Sequence, residues 1–150
     1  MAFKKNGLLT IEMITKIENE IGHKFPEDYR NFLLKTNGGR FDFDDNHEFK
    51  VEPIDEEDIC IDMFYGVGEQ SDDLLIYMNN TYGDDAGDNT IIIGNTLSGG
   101  FIVYTYKGDD SGVFFWDDNY AYEFSGDECN AYFIAKDFNE LMKIANFKME

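Results

Sequence analysis

The sequence predicts one α+β domain over residues 1–150, and three observations carry that prediction. Apolar residues recur at i, i+3 and i+4 within residues 1–40 and again near the end, the signature of helices with one buried stripe. Between these stretches the period switches to two, with turn residues at short intervals, as in half-buried strands. Strand–helix alternation never persists, so a parallel α/β sheet is not expected. A hydrophobic content of 43% and an aromatic content of 16% support a real core. A chain of 150 residues is long enough to close one.

Thr10 is the expected N-cap of the first helix, with Glu12 in the first turn where an acid suits the helix dipole. Ile11, Ile14, Ile17 and Ile21 mark its apolar face, and Gly22 ends it. Pro26 opens a second helix, where its missing N–H costs nothing, with Glu27 and Asp28 behind it. Tyr29, Phe32 and Leu33 form the buried stripe. Asn37-Gly38-Gly39 accepts positive φ and stops the helix. Two short amphipathic helices this close are expected to pack as a hairpin or a corner.

Phe41 and Phe43, then Phe49, Val51 and Pro53, alternate with charged residues as short strands. Asp55-Glu56-Glu57-Asp58 reads as a solvated loop or strand start, followed by a strand within Ile59–Val67. Ser71 is expected to cap a third helix, with Asp72 and Asp73 in its first turn and Leu74, Leu75, Met78 and Tyr82 on its buried side. Gly83–Asn89 reads as a turn, Ile91–Ile93 as a short buried strand, and Gly94–Gly100 as another turn. Phe101–Lys107, Val113–Asp117 and Tyr120–Phe124 follow as consecutive strands, linked at Gly108–Gly112 and at Asp118-Asn119. Asp137 caps a last helix, with Glu140 reaching back and Phe138, Leu141, Met142 and Ala145 inside.

Charge is the strongest global feature: 31 acids against 12 bases, a formal net charge of -19. It is uneven. Residues 1–40 hold five acids and seven bases, whereas residues 41–90 hold sixteen acids against Lys50 alone. Such a field repels nucleic acid and anionic lipid and attracts basic proteins. A second reading is that the charge only keeps the protein soluble. The N-terminus has no secretory pattern, and no apolar run approaches the roughly 20 residues a membrane helix needs. The expected location is the cytoplasm, where Cys60 and Cys129 are expected to be buried, inert thiols.

Stretches that hint at chemistry fail on inspection. Tyr65-Gly66-Val67-Gly68 lacks the third glycine of a dinucleotide loop, and Asp72 and Asp73 stand where a pyrophosphate needs positive potential. Gly94–Gly100 has no lysine and cannot be a P-loop. The run from Asp42 begins like a calcium loop, but His47 replaces the turn glycine and Pro53 the bidentate glutamate. His23 and His47 have no Cys or carboxylate at a ligand spacing. No nucleophile–base–stabiliser set stands out, so no enzyme, metal or cofactor is expected. In Val113–Tyr120, alternation puts Phe114 and Trp116 on one face of a strand, Phe115 and Asp117 on the other. Trp116 is then either core or, with Tyr120, an aromatic anchor at the edge of an acidic surface.

Taken together, Ile21-Gly22, Phe25-Pro26-Glu27-Asp28-Tyr29, Phe32-Leu33-Leu34 and Asn37-Gly38-Gly39 resemble the signature of the SUKH superfamily, also called the Smi/Knr family after yeast cell-wall-assembly regulators. Ile92-Ile93-Gly94 with Gly100, Phe115-Trp116-Asp117 and the helix around Phe138 agree in order and spacing. Phe25 stands where leucine is commoner. The resemblance implies an N-terminal helix pair and further helices on a curved, mainly antiparallel sheet. It also implies a non-catalytic, protein-binding role, in most bacterial members as immunity proteins that neutralise a cognate toxin, often a nuclease. The alternative is a scaffold or regulatory module of the yeast type. For a basic toxin, Asp42, Asp44 and Asp45 with Asp55, Glu56, Glu57 and Asp58 are the expected partner surface. Asp84, Asp85, Trp116, Asp117, Asp118 and Tyr120 extend it.

Overall fold

The computed structural model describes residues 3–41, 48–51, 54–97, 99–118, 125 and 130–145. Helix α1 spans Ile11–Ile21, capped by Thr10, whose Oγ1 accepts the Met13 N–H at 3.1 Å. Helix α2 spans Glu27–Thr36, and Pro26 precedes it as N-cap, one position earlier than expected. The link between them is fixed by Glu18, which is buried: its carboxylate accepts the Phe25 N–H at 2.7 Å and meets the Arg30 guanidinium at 3.6 Å. Ile14, Ile17, Phe25 and Tyr29 are buried around this corner.

The described residues hold eight strands: β1 (Phe3–Lys5), β2 (Gly39–Phe41), β3 (Glu48–Val51), β4 (Ile54–Phe64), β5 (Thr90–Thr96), β6 (Phe101–Thr105), β7 (Gly112–Trp116) and β8 (Ala131–Ala135). Seven run in the order β1-β2-β4-β5-β6-β7-β8, each pair antiparallel, and β3 pairs with the N-terminal half of β4. The fold class is therefore α+β, with four helices on an antiparallel sheet that does not close.

Of the two readings open for residues 55–58, loop or strand start, the structure has the strand, because β3 supplies a pairing partner that outweighs the poor strand propensity of acids. Two local expectations are corrected. Ser71 does not cap the third helix. It ends a single 3-10 turn, Glu69–Ser71, and Asp72 and Asp73 then take left-handed conformations before α3 (Leu74–Ala86) begins. The Asp73 carboxylate closes this loop by accepting the Gly68 N–H at 2.6 Å. Helix α3 also runs through Gly83, Asp84 and Asp85, where the sequence predicts a turn. Strands β1 and β8 lie outside the expected set, and the strand expected over 120–124 lies outside the described residues.

The last helix, α4 (Phe138–Ile144), is capped by Asp137 as expected, its carboxylate accepting the Glu140 N–H at 2.9 Å. Residues opposite one another across strands share a face. On one face Phe64, Ile102, Tyr104, Val113 and Phe115 meet α2 and α4: the Phe64 ring lies 5.3 Å from Phe32 and 5.5 Å from Phe138. That aromatic cluster is the centre of the core.

Helix α3 serves a different purpose. The β4–β5 ladder stops at Phe64, leaving backbone groups of β5 without a neighbouring strand. Asn79 of α3 takes that place, donating to the Ile92 carbonyl at 2.9 Å and accepting the Ile92 N–H at 2.8 Å. A buried side-chain amide thus completes the strand edge.

Candidate functional site

The registers align Asn95, Phe101, Trp116 and Ala131 in one row across β5–β8, on the face turned away from α2 and α4. The next row on that face is Ile92, Val103, Phe114 and Phe133. Trp116 is half-buried, with its ring 5.5 Å from Phe101, and Phe101 lies 5.5 Å from Tyr82 of α3. Phe133, 55% exposed, packs edge-on to Phe114 at 5.7 Å. Trp116 is neither a core residue nor a lone surface anchor. It belongs to an aromatic row that reaches solvent.

Carboxylates border this row. Asp62 accepts a hydrogen bond from the Asn95 amide at 3.1 Å. Tyr65 is buried, and its hydroxyl pKa is raised, first by burial and then by the charges of Asp62 and Asp118, with a smaller contribution from Tyr82. The charges of Asp62 and Asp118 are thus felt at the Tyr65 hydroxyl. Asp84 and Asp85 are exposed on the last turn of α3, and Asp85 is three residues beyond Tyr82, on the same side of the helix.

Chemically this arrangement suits recognition of cations. Carboxylates beside aromatic faces receive Lys or Arg through charge and cation–π contact. Raising the pKa of Tyr65 makes it a weaker acid, the opposite of what activation as a nucleophile requires. Among the described residues no group of three or more His, Cys, Asp or Glu is arranged to hold a metal ion. Nor is any helix among them long and apolar enough to cross a membrane.

The residues expected from sequence are thus divided. Trp116 packs on Phe101, and the charge of Asp118 acts on nearby Tyr65. Asp84 instead lines a separate cavity with His23, Asn79, Asp88 and Tyr106, and Asp85 is exposed on the same turn of α3. Asp117 joins neither group. It is 1% exposed, on the opposite face, and its carboxylate accepts the Ser125 hydroxyl at 2.6 Å. Its place in strand alternation beside Phe115 explains the correction: the same period that turns Trp116 outward turns Asp117 inward. Asp55, Glu56, Glu57 and Asp58 lie on β4. Asp42, Asp44, Asp45 and Tyr120 lie outside the described residues.

Asp62, Tyr65, Tyr82 and Phe101 were not anticipated as site residues. For Phe101 a signal existed: closing the Gly108–Gly112 hairpin pairs it with Trp116. For Tyr82 none did, because its contact depends on where α3 docks.

The motif that carries the family resemblance lies elsewhere and is a folding device. The Asn37 side chain donates to the Val67 carbonyl at 2.8 Å and accepts the Val67 N–H at 2.9 Å. A Cβ on Gly66 would lie 1.9 Å from the Asn37 carbonyl oxygen, and one on Gly38 would lie 2.5 Å from that of Phe64. Of the two glycines in the dinucleotide-like stretch, Gly66 is explained by this backbone packing, whereas Gly68 has open space around it and adopts a positive φ of 93°.

Fold and site together define an antiparallel sheet with α2 and α4 on one face and, on the other, aromatic rows partly covered by α3 that reach solvent at Trp116 and Phe133, a binding-type domain. Residues 8–144 match the SMI1 / KNR4 family (SUKH-1). The chain belongs to that family, whose domains are in general non-catalytic and bind other proteins. No curated protein matches the chain.

Proposed function

We propose that this protein is an immunity protein that binds and neutralises a cognate basic toxin, of nuclease type, in the cytoplasm. Family membership and the net charge of -19 support the reading. The observation that carries it is Asp62, hydrogen-bonded to Asn95 at the end of the row that runs through Phe101 to Trp116. A nuclease binds phosphate with Lys and Arg, and carboxylates set against aromatic faces offer those side chains a substitute. Asp84 and Asp85 extend the negative field along α3, and the acids of β4 and of residues 42–45 add to it. Complementary charge of this size raises the association rate toward about 10⁸ M⁻¹s⁻¹ at low salt.

Co-purification with the product of a neighbouring gene, followed by association kinetics against ionic strength, tests the reading. A tight complex whose association slows steeply with salt and whose toxin loses activity supports immunity. A partner bound without loss of its activity points instead to a regulatory module. Trp116 is the single tryptophan, so its fluorescence reports whether the partner covers this row.

A further inference from the structure

At the far end of the sheet the charge is reversed. Lys4 of β1 and Arg40 of β2 are directly opposed across the strands and so share a face. With Lys5 and Asn6 they line a cavity of about 380 Å³, closed on its other side by Met63, Leu74 and the Ser71–Asp72 backbone turn. In a chain with 31 acids and 12 bases, three cations in one cavity is a local inversion of sign. None of the three makes an ion pair among the described residues. The Arg40 guanidinium has only a long contact of 3.8 Å to the Met63 sulfur.

Like charges held together without counter-charges are unfavourable unless something offsets them. Lysines on an edge strand deter strand pairing, which accounts for Lys4 and Lys5. It does not account for Arg40, which lies on an inner strand.

We propose that this cavity binds a small phosphate-bearing solute, with Arg40 and Lys4 on the phosphate oxygens. Arginine offers a planar fork that matches two phosphate oxygens, and lysine adds a point charge. Large polyanions are disfavoured, because a nucleic acid or an anionic membrane meets the whole -19 field, whereas a small solute meets only the local cations. The volume falls within the usual range for small-molecule pockets, roughly 300–1,000 Å³. Among the described residues Asp72 is the one carboxylate on the lining; it works against the anion and so limits affinity. Buried Met63 and half-buried Leu74 form an apolar wall. That wall favours a phosphomonoester with an apolar substituent over inorganic phosphate. This site is separate from the aromatic–acidic face and does not rest on the immunity reading.

Backbone amide shifts in a titration with inorganic phosphate, then with phenyl phosphate, at constant ionic strength provide the test. Saturable shifts confined to Lys4–Asn6, Arg40 and Asp72, with phenyl phosphate binding more tightly, are expected. Arg40→Gln and Lys4→Gln should each weaken binding by about tenfold, and Asp72→Asn should strengthen it. Both cations are exposed, so the variants should fold. Shifts that never saturate, that match those at the distant exposed Lys107, or that persist unchanged in Arg40→Gln overturn the proposal. So does tighter binding of a single-stranded oligonucleotide than of phenyl phosphate.

Discussion

The carboxylate of Asp28, in the first turn of α2, accepts the backbone N–H of Phe138 at 2.9 Å, although 110 residues separate them. It also accepts the Asn139 N–H at 3.3 Å and the Tyr104 hydroxyl at 3.1 Å. One side chain thereby supplies acceptors to the start of α4 and ties α2 to β6. Beside that charge, and chiefly because it is buried, the Tyr104 hydroxyl has its pKa raised. Asp28→Ala leaves those donors without an acceptor and should cost about 2–3 kcal/mol in urea unfolding. Asp28→Asn, which keeps one carbonyl oxygen, should cost less.

The contact between residues 37–38 and 64–67 makes a sharp contrast between glycines. A Cβ at 66 would overlap the Asn37 carbonyl at 1.9 Å, whereas one at Gly22 meets nothing within 4 Å. Gly66→Ala should therefore destabilise by more than about 3 kcal/mol, or prevent folding. Gly22→Ala should cost only the left-handed backbone penalty, about 1–2 kcal/mol. Equal losses in thermal unfolding would contradict the packing assigned to Gly66.

Asn79 should behave as a backbone substitute rather than a packing residue. Asn79→Leu fills similar space but leaves the Ile92 N–H and carbonyl unpaired, at a cost of about 2–4 kcal/mol. Hydrogen exchange gives the specific readout: the Ile92 amide should lose protection more than its neighbours Ile91 and Ile93.

His23 contributes a pH dependence. Its Nδ1 lies 2.8 Å from the Tyr106 hydroxyl, and burial lowers its pKa from the ordinary 6.5. In the window below 6.5 and above the lowered value, the unfolded chain binds the proton and the folded one does not. Stability from this group is therefore full above pH 6.5 and declines as the pH falls through that window. His23→Gln should flatten the decline measured by chemical denaturation between about pH 7 and 5.5. An identical slope in the variant would remove His23 as its source.

Asp84 and Asp85 are exposed and make no ion pair among the described residues. Asp84→Asn combined with Asp85→Asn should leave stability within about 0.5 kcal/mol. Against a basic partner, the double variant should associate several-fold more slowly at low salt with little change in dissociation, and the difference should vanish at high salt. A change confined to dissociation would place these residues inside the contact and not in the steering field.

The sequence by itself determined helices α1, α2 and α4 and how they end, because those features depend on neighbours in the chain. Thr10, Gly22, Asn37 and Asp137 each act within four residues of the groups they satisfy. It also determined the change to period two, and with it which side chains share a face of β7. What only the tertiary structure decided were the places where distant segments meet. Strand β4 takes residues 55–58 because β3 lies beside it, and α3 runs through Gly83 because Asn79 anchors it to β5. The meeting of Tyr82 with Phe101 and of Asp62 with Asn95 is of the same kind. Local propensity acts over a few bonds, whereas burial and charge act through space, and only docking of the elements fixes which groups are close.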